Sequence, residues 1–274
     1  MVNAALDPRS PTYRASDGAA YERFLGRWSR VLAGSFAEFA RLPEDGAILD
    51  VGCGTGSLTL SLAERRRGRV GGIDIAAPYI AFARDRPAAE RADFAVGDAC
   101  NLPYADRHFA ASLAQLALNF VRDPVLAVRE MRRVVRPGGV AAAAVWDFRG
   151  GLVYQRLFWD TAAGLDPAAG AMRDRLFSSP LAVPDGLPLL WRRAGFGAIE
   201  RGSITIRMEY ADFADYWEPL LGGQGPVGAY VMGLPQQRRR VIEERVRLSY
   251  LSGAPDGPRS MTATAWAVRG TVPI

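Results

Sequence analysis

A chain of 274 residues, 49% hydrophobic and 23% charged, can bury the core of one large α/β domain or of one domain with a sizeable insertion. Its 34 basic residues, all Arg, against 29 acidic ones leave a net charge of +5, and the absence of Lys excludes both a P-loop lysine and a Schiff-base amine. One His and two Cys cannot build a zinc site unless carboxylates do most of the work, and they imply no disulfide framework, so no metal is expected.

No apolar run approaches the roughly 18 residues of a membrane span. The polar start, residues 1–17, has no apolar signal core, so a cytoplasmic location without a membrane span is expected. Arg65-Arg66-Arg67 and Arg238-Arg239-Arg240 are short clusters, the second followed at once by Glu243 and Glu244. They read as solvated helix faces, and no nucleic-acid partner is expected.

In chain order, residues 21–40 carry apolar side chains at gaps of three and four, which predicts an amphipathic helix broken near Gly34. A short buried strand follows over 47–51, then a tight loop over 52–56 and a helix over 57–66. A strand over 69–75, a helix over 78–86 and a strand over 93–96 come next, and a fourth strand over 109–116. Asp123-Pro124 is an N-cap followed by Pro at the first helical position. That helix is expected to stop at Arg136-Pro137-Gly138-Gly139, before an unbroken apolar strand over 140–146. Strand and helix alternate throughout, and the strands read as unbroken apolar runs, which argues for a parallel doubly wound sheet.

Beyond Trp146 the pattern loosens. Helices are expected over 152–165, 171–177, 187–194, 210–221 and 235–250, with strands over 198–208 and 261–268. Gly222-Gly223-Gln224-Gly225-Pro226 reads as a mobile loop by composition. The expected organisation is a helical cover over 1–45, a cofactor-binding core over 46–148, a helical insertion over 149–184, completion of the sheet by 185–209 and 259–274, and a helical cap over 210–258.

Three signals carry chemistry. Asp50-Val51-Gly52-Cys53-Gly54-Thr55-Gly56 stands between a strand and a helix, where glycines let a ligand approach the backbone and the helix start offers free N–H groups. The dinucleotide fingerprint G-x-G-x-x-G fails by one position, since Ser57 stands where its third glycine belongs. Asp74 ends the next strand about 20 residues after the first glycine, the separation at which a carboxylate meets ribose hydroxyls. After the third strand comes Gly97-Asp98-Ala99. There a carboxylate can accept from an adenine amino group, and the Ala99 N–H can donate to the ring.

These pieces, in this order, together with Leu102-Pro103 and Arg133-Val134-Val135-Arg136-Pro137-Gly138-Gly139, resemble the class I (Rossmann-like) S-adenosylmethionine-dependent methyltransferases, in particular the group that includes ubiquinone and menaquinone C-methyltransferases. The resemblance runs from Ile48 to Trp146. It implies a seven-stranded, mostly parallel sheet whose last strand is antiparallel, with helical cap insertions. It implies S-adenosylmethionine as cofactor, with Asp50, Gly52, Cys53 and Gly54 at its methionine end and Asp74 on the ribose. Ile75 would pack on adenine, Asp98 and Ala99 would read its edge, and Gln115 and Leu116 would line the floor near the methyl group. Tyr21, Arg27 and Trp28 would come from a segment lying over the cofactor, with Arg27 or Arg30 free to pair with the methionine carboxylate.

His108 is expected to be exposed and inert, and Cys53 and Cys100 to be small packing residues in their chemistry. Tyr216 and Trp217 precede the glycine-rich loop and are candidates for an acceptor pocket. No catalytic base is identified. Because the chain departs from the quinone enzymes after Trp146, a small-molecule acceptor under a helical roof is expected. A nicotinamide-dependent oxidoreductase and a non-catalytic binder of the same cofactor are the alternatives.

Overall fold

The computed structural model describes residues 15–274; the first 14 residues of the expected N-terminal cover lie outside the described residues. The chain enters through α1 (Gly18–Tyr21), a π-helical turn (Glu22–Gly26) and α2 (Arg27–Ala40). It then alternates through β1 (Ile48–Val51), α3 (Ser57–Arg65), β2 (Val70–Asp74), α4 (Ala77–Arg84), β3 (Ala92–Val96), β4 (Phe109–Gln115), α5 (Pro124–Val134) and β5 (Val135–Trp146). After these come α6 (Val153–Ala163), α7 (Pro167–Phe177), α8 (Gly186–Arg193), β6 (Gly197–Tyr210), α9 (Phe213–Trp217), α10 (Gly225–Gly233), α11 (Gln236–Leu251) and β7 (Arg259–Thr271).

The seven strands form one sheet in the order β3-β2-β1-β4-β5-β7-β6. Pairings among β1 to β5 are parallel, and β7 runs antiparallel to both its neighbours, as the family resemblance implies. A doubly wound sheet of this kind puts every βα loop of the parallel half on one edge, and that edge is where ligands bind. All seven residues of β4 and all four of β1 are buried, which is why their sequences are mostly apolar rather than alternating, with Asp50, Ser112 and Gln115 as the buried polar exceptions.

Each face of the sheet has its own core. On one face α5 and α8 bury Val128, Met131, Leu187 and Trp191. The other face is covered by α2, α3, α6 and the α9–α11 segment, through Leu32, Phe36, Leu58, Phe158, Trp159, Val227 and Val246. Leu32 and Phe36 are fully buried, each worth about 1.5–3 kcal/mol of transfer free energy, so α2 is held down by packing. N-caps follow the sequence where it signalled them: the Asp123 carboxylate accepts from Leu126 N–H, with Pro124 at the first helical position.

Four local expectations are corrected. No break occurs at Gly34; the irregularity lies upstream, in the π-helical turn over Glu22–Gly26. The strand expected from Val140 begins at Val135. Residues 136–139 bulge out of it: Gly138 takes φ +74° and its N–H bonds to the Val272 carbonyl just past β7, and the helix itself has ended at Val134, shortly before the expected stop. Tyr210 belongs to β6, and the helix after it is only α9, capped by Asp212 and continued as a 3-10 turn that carries Pro219. The stretch Gly222–Pro226, expected as a loop, is largely taken up by helical elements, with Gly222 ending the 3-10 turn. Gly225 and Pro226 open α10, and Gln224 is 2% exposed. Composition flagged its glycines, but the Gln224 amide finds buried partners, and hydrogen bonding overrides the local preference.

Candidate functional site

The carboxyl ends of β1, β2, β3 and β4 open into a single cavity of about 390 Å³, within the size range of small-molecule sites. The glycine loop forms its floor. Gly52 and Cys53 both donate their N–H groups to the Ile73 carbonyl at 2.7 and 3.1 Å, folding the loop back over β2. Gly52 sits at φ +74°, and a Cβ there would stand 2.3 Å from Ala117 Cβ, so glycine is required by conformation and by space.

Asp50 lies under this loop and is 1% exposed. Its Oδ2 accepts from the Thr59 hydroxyl at 2.7 Å, while Oδ1 has no hydrogen-bond partner among the described residues. Burial pushes this carboxyl up to about 7; the Thr59 hydroxyl opposes the shift and the charge of Asp74 adds to it. A buried acceptor without a partner costs about 1–3 kcal/mol, which a cationic or donor group of a ligand would recover.

Asp74, at the tip of β2, accepts from Gly54 N–H at 2.8 Å through Oδ2 and from Ala76 N–H at 2.8 Å through Oδ1. The carboxylate thus ties the glycine loop to the start of α4 while lining the cavity. Burial raises its pKa and the backbone donors oppose that rise. Ile75 beside it is 52% exposed, an apolar side chain lining the cavity that offers a surface to a planar ligand face. Beyond β3, Asp98 accepts from Cys100 N–H at 2.8 Å, and Gly97, Asp98 and Ala99 all line the cavity.

That last loop is held from behind by Arg133. Its guanidinium donates to the carbonyls of Leu102 and Tyr104 and to Glu130 and Asp106. Glu130 in turn accepts from Leu102 N–H, and its pairing with Arg133 lowers its pKa. The sequence pieces at 97–103 and 133–139 therefore form one assembly that presents the Asp98 loop.

Across the cavity from β3, Gln115 ends β4, and its Nε2 donates to the Ser29 carbonyl of α2 at 2.9 Å. Its Oε1 is buried and has no partner among the described residues. Leu116 follows at φ +62°, a left-handed conformation rare for a bulky residue and typical of functional turns. Tyr21 lines the roof, its ring 5.0 Å from that of Tyr79, and burial raises its hydroxyl to about 12, so it stays protonated.

Two expected cofactor contacts lie elsewhere. Arg27 is not among the cavity-lining residues: its guanidinium bonds to the Asp215 carboxylate at 2.7 Å and to the Asp215 carbonyl, and it lies over Trp28 and Tyr210. Trp28 is 7% exposed and packs on Tyr210, also away from the lining. An ion pair with the cap thus takes the Arg proposed for the methionine carboxylate, and Arg30 is paired to Glu22 at 2.6 Å. Tyr216 and Trp217 are core residues, buried and outside the cavity lining. His108 is exposed. The cavity walls hold three carboxylates, Asp50, Asp74 and Asp98, against Arg122 at the rim, a balance that suits a cationic ligand.

Sequence reasoning missed Ser29, Thr55, Tyr79 and Phe120, which also line the cavity. Thr55 lay within the glycine loop and could have been included; its hydroxyl donates to Glu22 of the π-helical turn at 2.6 Å. Nothing local marked Ser29 or Tyr79, which reach the site only through the packing of α2 and α4. Among the described residues, no group of three or more His, Cys, Asp or Glu could hold a metal ion. No helix among them is long and apolar enough to cross a membrane.

With that geometry in view, residues 49–143 match the family described as a methyltransferase domain. A 2-phytyl-1,4-naphthoquinone methyltransferase of Thermosynechococcus vestitus is 40% identical over 114 residues, which cover 40% of this chain and 50% of that protein. A demethylmenaquinone methyltransferase of Roseiflexus castenholzii is 32% identical over 168 residues, covering 57% of this chain and 70% of its own length. Among solved structures, a Haemonchus contortus phosphoethanolamine N-methyltransferase 2 in complex with S-adenosyl-L-methionine superposes with a TM-score of 0.59 at 16% identity, over 97% of this chain and 59% of that one, a likeness of fold.

Proposed function

The chain belongs to the class I S-adenosylmethionine-dependent methyltransferases, and we propose that it transfers the sulfonium methyl group of that cofactor to a small-molecule acceptor. The observation that carries this reading is the convergence of the glycine loop, Asp74 and Asp98 on one cavity that Ile75, 52% exposed, also lines. Those residues fit an adenosyl group. Asp74 offers carboxylate oxygens to a vicinal diol, Ile75 an apolar face, and Asp98 with the Ala99 N–H an acceptor and a donor for an adenine edge. The unpartnered Oδ1 of Asp50 suits an α-ammonium group.

When bound, the cofactor supplies an electrophilic methyl carbon with a good leaving group. The protein then has to position and to exclude water. Asp74 and Asp98 fix the adenosyl end, the Gly52–Gly56 backbone sets the depth of approach, and Tyr21 with the π-helical turn closes the roof. Tyr21 stays protonated and the Cys53 thiol is pushed well up by burial, so neither serves as a base at neutral pH. A small-molecule acceptor is supported by the size of the cavity, about 390 Å³, and by the packing of α2, α6 and the α9–α11 segment on the same face of the sheet.

The test is isothermal titration calorimetry with S-adenosylhomocysteine and, separately, with NADH. Binding of the first and not the second is expected. The reverse result would assign the chain to nicotinamide chemistry instead. Release of S-adenosylhomocysteine from S-adenosylmethionine in the presence of an acceptor then separates an enzyme from a non-catalytic binder.

A further inference from the structure

The sheet order fixes which end of the cavity does chemistry. From β1, the strands carrying Asp74 and Asp98 lie to one side, at β2 and then β3, while β4 with Gln115 lies on the other. Adjacent strands are about 4.8 Å apart, so a ligand whose adenosine half rests on the β2 and β3 tips has its other half over β1 and β4. The β4 side is therefore where the reacting atoms meet. Asp50, Gln115 and Ser29 line this end.

Gln115 is the polar group there whose chemistry remains unassigned. Its amide orientation is decided by Ser29, because the Ser29 carbonyl can only accept and so must face Nε2, at 2.9 Å. The Ser29 hydroxyl is engaged with the Leu25 carbonyl and does not compete. Oε1 is left as an acceptor, buried and without a partner among the described residues. The left-handed turn at Leu116, whose N–H is tied to the Ala144 carbonyl, holds the end of β4 and with it the Gln115 backbone.

We propose that Gln115 selects the methyl acceptor, its Oε1 receiving a hydrogen bond from an N–H or O–H on the atom to be methylated, so that the substrate class is amines or hydroxyl compounds. This rests on the methyl-donor reading above. In the transfer, the nitrogen or oxygen lone pair forms the new bond to the methyl carbon. The carbon–sulfur bond breaks with its electron pair remaining on sulfur, and the proton of the acceptor, held at Oε1, passes to water. An amide oxygen is too weak a base to remove that proton beforehand. Gln115 therefore orients the lone pair and does not generate the nucleophile.

Sinefungin tests this without a known acceptor, since its amine stands where the donor's methyl group stands and presents N–H donors to the acceptor side. Titration calorimetry would compare sinefungin with S-adenosylhomocysteine on the full chain. Gln115→Met, which keeps length but removes the acceptor, is expected to weaken sinefungin by at least about tenfold while S-adenosylhomocysteine stays within about twofold. Gln115→Glu keeps an acceptor oxygen whether or not it is ionised, and is expected to preserve the sinefungin preference even if Gln115→Met fails to fold. Equal weakening of both ligands, or no change in either, would overturn the assignment of Gln115. If the unaltered chain bound neither ligand, the methyl-donor reading itself would fall.

Discussion

Replacing Asp50 by Asn should make the protein more stable in alkaline than in acidic solution relative to the unaltered chain, while weakening its ligand. The Asp50 carboxyl has an ordinary value of 3.8 and is pushed up to about 7 in the folded chain. Between those two values the folded state holds a proton that the unfolded state has released, so the stabilising contribution is full below about 3.8 and is lost as the pH rises to about 7. Each unit costs about 1.36 kcal/mol, so the stretch from pH 5 to pH 7 is worth about 2.7 kcal/mol. Asn does not titrate. The Nδ2 group it introduces at the unpartnered position contributes the same amount at every pH and cancels from the comparison. Urea unfolding of both proteins at pH 5 and pH 8 should show the stability difference moving by about 2.7 kcal/mol in favour of Asp50→Asn. Calorimetry at pH 8 should show weaker binding of S-adenosylhomocysteine, because an ammonium group would lose a carboxylate partner. A stability difference that does not change with pH would refute the assignment of Asp50 as a buried, uncompensated charge.

Other substitutions probe the rest of the site. Asp74→Asn leaves one acceptor oxygen for two backbone N–H groups and the ribose, and S-adenosylhomocysteine affinity should fall at least about tenfold by calorimetry. Unchanged affinity would remove Asp74 from the site. Gly52→Ala forces a side chain into the left-handed region against Ala117, at a combined cost of about 2–5 kcal/mol. A thermal melt and a binding isotherm both indistinguishable from the unaltered chain would contradict that contact. Gln224→Ala removes an amide that accepts from Ser16 N–H and the Tyr79 hydroxyl and donates to the Gly222 carbonyl, joining the entry of α1, the cavity wall and the cap. Stopped-flow measurement should find S-adenosylhomocysteine leaving about tenfold faster, and an unchanged rate would show that this bridge does not hold the roof closed.

Much of the cavity wall at the ends of β1, β2 and β3 was written locally. The glycine loop, Asp74 and the Asp98 loop are each set by backbone geometry over a few residues: a strand end, a required turn, a helix start. Their spacing along the chain translates directly into neighbouring strand tips, because parallel βα units are stacked side by side. The mostly apolar runs of β1 and β4 and the unbroken run from Val140 to Trp146 in β5 likewise announced burial on both faces. Where local preference misled, at residues 136–139 and over 222–226, partners far away in sequence took part: Val272 and Ser16.

The sequence by itself determined the alternation of strand and helix that builds the parallel half of the sheet and the family to which the chain belongs, and it singled out Asp50, Asp74 and Asp98, which line one cavity. Only the tertiary structure decided that Arg27 pairs with Asp215, that Ser29 orients the Gln115 amide, and that Gln224 is buried rather than free. The reason is one of range. A turn or a strand end is fixed by sterics within a handful of residues, whereas the partner of a long side chain is whichever group packing brings within about 3 Å. For Arg27 that partner is 188 residues away.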